Sequence, residues 1–238
     1  MLPKPSLIDP SRIRAITLDL DDTLWPVWPT IHRAEAVLLQ WLQEHAPATA
    51  QVFDTPQALR TIRERVGRDR PDLRYDLSAL RRESIRLALT QAGDDPALAQ
   101  PAFELFFAER QRVQLFDDAL PALQFLAARW PVIAVSNGNA DVECIGIGHF
   151  FHDTFNMLRV DAAKPQARIF QAAIHAVDAA AHEVVHIGDD PVLDVMGARN
   201  AGIQHAIWLN RDGRDWPVPQ TPPTTIASLT QLCQILNA

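Results

Sequence analysis

The sequence predicts an α/β fold, a doubly wound, Rossmann-like parallel sheet that carries an inserted all-helical domain. Three observations predict it. Short apolar, β-branched runs end in polar residues at three places along the chain. Helical patterns alternate with those runs, and the stretch 25–113 that follows the first run has helical periodicity and no convincing strand. With 238 residues, 47% of them hydrophobic, the chain is long enough for one large domain, or for a core with a smaller second one. The expected division is a sheet domain over 1–24 and 114–238 and a helical cap domain over 25–113.

The elements follow in order. Residues 13–20 (IRAITLDL) read as a buried strand. The insert reads as helices over 31–45, 56–66, 77–91 and 96–112, placed where a lid over the carboxyl edge of the sheet would stand. A helix over 120–130 leads into a strand over 131–135, which runs out into Ser136-Asn137-Gly138. A helix over 166–177 stands behind Pro165, and a strand over 184–187 runs into Gly188-Asp189-Asp190. The next helix, 192–200, has Asp190 as N-cap, Pro191 in its first turn and Gly202 just past its end. A strand over 206–209, a long Pro-, Asp- and Thr-rich loop over 211–225 and an amphipathic helix over 226–236 complete the chain. Each of the first three strands delivers polar groups at its carboxyl end, where open parallel sheets hold their ligand crevice.

Charge narrows the function. Lys plus Arg number 22 against 29 acids, a net charge of −7, which argues against nucleic-acid and membrane partners. Only two of the cations are lysines, Lys4 in an unpatterned N-terminal tail and Lys164, so chemistry that needs an interior lysine has one candidate. The insert balances 12 arginines with 12 acids, and nine of the arginines lie between Arg60 and Arg86. Most are expected on solvated helix faces with i,i+4 partners, such as Glu64 with Arg60 or Arg68, and a few are expected to face a phosphorylated or acidic substrate. Cys144 and Cys233 are isolated, as reduced thiols would be, and no segment approaches the apolar length of a membrane span. A cytoplasmic protein is expected.

Asp19 and Asp21 lie two residues apart at a strand end, which turns both side chains to one side. Paired carboxylates there suit a divalent cation and a division of labour between nucleophile and proton carrier. Asp19-x-Asp21-x-Thr23 after one strand, Ser136 after a second, Lys164-Pro165 before a helix and Gly188-Asp189-Asp190-x-x-x-Asp194 after a third resemble, in order, the four motifs of the haloacid dehalogenase-like (HAD) hydrolase superfamily. The insert resembles the helical cap found after the first motif in that family.

The resemblance implies roles residue by residue. Asp19 matches the nucleophile that forms an aspartyl-phosphate, a carboxylate that needs placement more than deprotonation. Asp21 matches the general acid and base. Mg2+ is implied as cofactor, held by the Asp19 carboxylate, the Asp21 backbone carbonyl and Asp189, with Asp190 and Asp194 behind them holding metal-bound water or orienting Lys164. The Ser136 hydroxyl and the Asn137 and Gly138 amides match donors to the phosphoryl group, and Lys164 matches the fixed positive charge beside it.

The family's other chemistries separate on single residues. Its dehalogenases lack the second aspartate of the first motif, and Asp21 is present, so a 2-haloacid dehalogenase is the less favoured alternative. Its phosphonatases need a cap lysine, and 25–113 contains none. A sugar-phosphate mutase uses the same aspartates and stays open. Residues 13–25, Ser136 to Ala140 with the following Ile145-Gly146-Ile147-Gly148, and Arg81-Arg82-Glu83-Ser84-Ile85 resemble bacterial phosphatases acting on FMN and on 5-amino-6-(5-phosphoribitylamino)uracil. A small phosphorylated metabolite is therefore the expected partner, with Trp25, Trp28, Tyr75, Arg81 and Arg82 as candidate contacts.

Overall fold

The structure, a computed structural model, describes residues 8–237, so the expectation for Lys4 lies outside the described residues. The chain divides into two compact units. One comprises the segment up to Pro26, Leu115–Gly138 and the chain from Val142 onward; the other comprises Val27–Gln114 together with Asn139–Asp141.

The first unit is built on a six-stranded, fully parallel sheet: β1 (Ala15–Leu18), β2 (Val132–Ser136), β3 (Asp153–Asn156), β4 (Val184–Gly188), β5 (His205–Leu209) and β6 (Thr224–Ile226), in the order β3-β2-β1-β4-β5-β6. Every residue of β1, β2 and β4 is buried, as strands covered on both faces must be, and this produces their unbroken apolar runs. On one face Ile133, Val135, Ile169, Phe170 and Ala173 share a core with Val195 and Trp208. Elsewhere in the unit, helix Ala119–Ala127 packs against helix Leu229–Leu236.

Strand order reverses between β1 and β4, since the chain moves outward from β1 through β2 to β3 and then returns to β1's other side. A crevice opens at such a switch point, at the carboxyl ends of the two strands. Leu18 pairs with Ile187 there, and the Asp19 N–H continues the ladder to the Ile187 carbonyl at 2.9 Å. The residues that leave β1 and β4, Asp19 and Asp189, are thereby brought side by side.

Two strands were not legible in the sequence, and both are sheet edges. In β3 (DTFN) only Phe155 is buried, so it has no apolar run. β6 takes Thr224 and Thr225 out of the expected loop and Ile226 off the front of the expected last helix, which starts instead at Leu229, where the Ser228 hydroxyl accepts the Gln231 N–H at 3.3 Å. The expected helix over 192–200 begins as a π-helical turn, Pro191–Met196. Asp190 caps it by accepting the Val192 and Leu193 N–H groups at 2.7 and 2.8 Å.

The second unit is all-helical: α1 (Val27–His45), α2 (Pro47–Val52), α3 (Pro56–Asp69), α4 (Leu77–Ala92) and α5 (Ala99–Arg110). Thr55 caps α3, Asp76 caps α4, and Gly93, at φ +86°, closes α4 in the left-handed conformation that favours glycine. Leu38, Leu42, Leu59, Ile62, Ile85, Leu89, Phe103 and Phe106 form its core. Arg60 does not pair with Glu64. It reaches from α3 to the buried Glu35 of α1, with Nε 3.0 Å from Oε1. Asn139–Asp141, assigned by sequence to the sheet domain, cluster here because Asn139 Nδ2 donates to Ser78 Oγ (3.2 Å) and the Asp141 N–H to Gln111 Oε1 (2.8 Å). Among the described residues no helix is long and apolar enough to cross a membrane.

Candidate active site

β1 ends where the chain makes a tight turn. Asp22 takes a left-handed conformation (φ 59°), which aspartate tolerates better than most residues, and its N–H donates to the Trp25 carbonyl at 2.8 Å. The turn is held from β5's exit, where Arg211 donates to the Thr23 carbonyl at 3.0 Å and to both oxygens of Asp118. Asp19 sits at the start of this turn and is 5% exposed. Its Oδ1 accepts Lys164 Nζ and its Oδ2 accepts the Thr23 hydroxyl at 3.1 Å.

Lys164 is equally buried and donates also to Asp194 Oδ1 at 2.7 Å. Its backbone is clamped by Asn137, whose Oδ1 accepts the Lys164 N–H (2.7 Å) and whose Nδ2 donates to the Lys164 carbonyl (2.9 Å). The second-motif asparagine therefore positions the third-motif lysine. Ser136 is buried, and its Oγ accepts the Gly138 N–H at 2.9 Å, so in this structure that amide is engaged within the loop.

Asp189, Asp19 and Asp194 offer carboxylate oxygens within 4.8 Å of one another. Asp194 has its oxygens engaged: Oδ1 accepts Lys164 and lies 3.3 Å from His186 Nε2, and Oδ2 accepts the Asp190 N–H at 3.0 Å. Asp194 thus meets three donors and Asp19 two, while Arg214 stands 4.0 Å from Asp189 Oδ2, so Asp189 and then Asp19 are less engaged than Asp194 and are the better candidates to hold a cation. Asp189 is anchored by its backbone, with its carbonyl accepting Trp208 Nε1 (2.8 Å) and Arg214 (3.2 Å). Asp21 lies apart from the trio, and its Oδ1 accepts the Trp25 indole N–H at 2.8 Å.

Lys164 is bonded to two of the three carboxylates, Asp19 and Asp194, and the protonation pattern follows. Burial pushes the Asp19 carboxyl well above the usual carboxylate range, and Asp194 and Asp189 add to the rise, while Lys164 opposes it. Burial, then Asp194 and Asp22, raise Asp189 to about 7. Asp194 goes the other way, to about 2: burial would raise it, but Lys164 and the His186 hydrogen bond outweigh that. Lys164 is pulled down by burial and more than restored by its two carboxylates, so it stays charged. Hard carboxylate oxygens with uncompensated charge are the donor set that Mg2+ takes, so the residues fit that ion.

Trp25 is fully buried, which gives it the work of holding Asp21 and not that of an exposed ligand contact. In the helical unit Trp28 is 56% exposed and Arg60 lies over its ring, 5.5 Å from the centroid. Arg81 lies 3.7 Å over Phe106 and 4.0 Å from Glu35, Arg82 is over Phe103, and Tyr75 carries Arg74 on its ring. Sequence reasoning missed His186, a fully buried imidazole in β4, and Thr17 beside it in β1. The signal was available as polar residues inside the otherwise apolar runs ITL and VVHIG.

Residues 13–202 match the family model described as haloacid dehalogenase-like hydrolase. The chain is 32% identical over 232 residues to 5-amino-6-(5-phospho-D-ribitylamino)uracil phosphatase YigB of Escherichia coli (strain K12), covering 93% of this chain and 96% of that one. It is also 32% identical over 158 residues to a phosphoserine phosphatase of Thermus thermophilus, covering 64% of this chain and 63% of that protein. Among solved structures, one described as 2-haloacid dehalogenase from Pseudomonas syringae pv. Tomato DC3000 superposes with a TM-score of 0.88 at 37% identity, covering 94% of this chain and 98% of that one.

Proposed function

The chain belongs to the haloacid dehalogenase-like hydrolases, and from that premise we propose that it is a Mg2+-dependent phosphatase acting on a small phosphorylated metabolite in the cytoplasm. The observation that carries the reading is Asp21, an acid held by Trp25 two residues beyond the Lys164-paired Asp19. Breaking a phosphate ester releases an alkoxide that needs a proton; breaking a carbon–halogen bond releases a halide that does not.

Asp19 attacks phosphorus in line, and the ester oxygen departs as the aspartyl-phosphate forms. Asp21 gives its proton to that oxygen, and then, as a carboxylate, takes one from the water that cleaves the aspartyl-phosphate. Lys164 keeps Asp19 oriented and supplies fixed positive charge beside the transferring group, and the Ser136 hydroxyl and the backbone amides of Asn137 and Gly138 supply its hydrogen-bond donors once the Gly138 N–H turns from Ser136 Oγ to the phosphoryl group. Asp19 and Asp189, with the Asp21 carbonyl, would hold Mg2+, which supplies charge neutralisation between anionic protein and anionic phosphate.

The E. coli relative's substrate makes 5-amino-6-(5-phospho-D-ribitylamino)uracil, and with it FMN, the first metabolites to try. Trp28, Tyr75, Arg81 and Arg82 are the helical-unit residues to vary when specificity is mapped. The test is release of phosphate from an aryl phosphate with and without Mg2+: Asp19→Asn is expected to lower the rate by at least roughly a thousandfold. Release that ignores both the ion and Asp19 would defeat the reading. The likeness to the Pseudomonas structure keeps a dehalogenase as second reading, and chloride release from 2-chloropropionate exceeding phosphate release would favour it.

A further inference from the structure

His186 is 0% exposed in the middle of β4 and takes no part in the chemistry above. Its Nδ1 is 2.9 Å from the Thr17 hydroxyl, its Nε2 is 3.3 Å from Asp194 Oδ1, and the Phe170 ring meets it edge to face at 5.0 Å. A buried imidazole costs free energy unless both nitrogens are satisfied, so the contacts decide which nitrogen carries the proton. Asp194, ionised, only accepts, and it already accepts Lys164 and the Asp190 N–H. Nε2 must therefore be the N–H, because a lone pair there would face a carboxylate oxygen. Nδ1 is then the acceptor, and the Thr17 hydroxyl donates to it at 2.9 Å in preference to the Val185 carbonyl at 3.5 Å.

We propose that His186 is a positioning residue: Thr17 fixes its tautomer, its Nε2–H fixes the Asp194 carboxylate, and that carboxylate fixes Lys164 on Asp19. The chain of contacts crosses the sheet interior from β1 to β4 and returns to the end of β1. Gly188 makes it rigid, since a Cβ there would lie 2.2 Å from Asp194 Cγ, so the carboxylate is packed directly on the glycine backbone. Oδ1 of Asp194 takes both Lys164 and His186; without the imidazole donor one of its two constraints is gone, and the lysine ammonium is free to draw it out of line. Partners behind a site's charged groups are worth about ten- to hundredfold in activity when removed.

The effect on catalysis rests on the reading of Asp19 as nucleophile; the tautomer does not. The test uses the full chain. Nitrogen-15 resonances of His186 in the metal-free protein at neutral pH are expected to show protonated Nε2 and unprotonated Nδ1. His186→Gln places an amide N–H near the Nε2 position, and His186→Asn places one near Nδ1. With an aryl phosphate and Mg2+, His186→Asn is expected to lose about ten- to hundredfold in kcat with KM within twofold, and His186→Gln to recover to within about threefold of the parent. Protonation at Nδ1, a doubly protonated ring, or equal kcat for the two variants would overturn the proposal, and a purely space-filling role predicts that equality. Should the parent protein release no phosphate at all, the phosphatase reading falls and the resonances alone decide the role of His186.

Discussion

Asp19 is placed by its backbone before any chemistry begins, because its N–H completes the β1–β4 ladder. Asp21 is placed by Trp25, and this division predicts different penalties. Asp21→Asn keeps the shape and removes the proton, so kcat should fall by about 10²- to 10⁴-fold, more for an alkyl phosphate than for an aryl phosphate whose leaving group needs little help. An equal loss on both substrates would count against Asp21 as the acid. Gly188→Ala would drive a methyl into Asp194, and we expect it to cost about 1–3 kcal/mol in urea unfolding and most of the activity. Wild-type activity in that variant would mean Asp194 is not held as described. The motif acids, Ser136 and Lys164 were legible because each stands at a strand end or before a helix, at a fixed place in chain order. His186, Thr17 and the clamp of Asn137 on Lys164 were not, since each depends on side chains from separate strands meeting inside the fold.

At the scale of elements, legibility followed burial. The central strands β1, β2 and β4 are buried throughout and read as apolar runs, while the edges β3 and β6 bury one residue each and do not read as strands. Helices α1, α3 and α4 were legible from periodicity, but the pairing between helices was not. Glu35, 1% exposed on α1, collects Arg60 from α3 and Arg81 from α4, neither of them at i,i+4 spacing. Glu35→Gln would leave two partly buried guanidiniums facing each other, with burial already weighing against the Arg81 charge. Removing one partner of a buried ionic group is costly, and with Arg60 23% exposed we expect about 2–3 kcal/mol in denaturant unfolding. A change below about 0.5 kcal/mol would place this network with ordinary surface pairs.

For the whole molecule the question is where the −7 charge goes, and part of it converges on the Asp19, Asp189 and Asp194 trio. Asp189, raised to about 7, binds a proton in the folded state across a range, from about 4 upward, where an unfolded chain has released it. The Asp189 contribution to the stability of the metal-free protein should therefore fall as pH rises from about 4 to about 7, opposed over part of that range by His186, which burial keeps neutral where an unfolded chain's imidazole binds a proton. Asp194, held down to about 2, acts in the opposite sense, but only below about pH 4. Cation and proton compete for the same oxygens, so the stabilisation by Mg2+ should be larger at pH 8 than at pH 5, near 2.7 kcal/mol at about a hundredfold excess over its dissociation constant. Equal gains at both pH values in thermal melts would remove the trio from the binding site. Strand order has a consequence for how the chain is made. β1 leaves the ribosome first, yet it is the central strand, and its two neighbours, β2 and β4, lie more than a hundred residues downstream. At about 5–20 residues per second, β1 waits roughly 6–23 seconds for β2 and longer for β4, an apolar segment without its ladder while the helical unit is synthesised and can fold ahead of it.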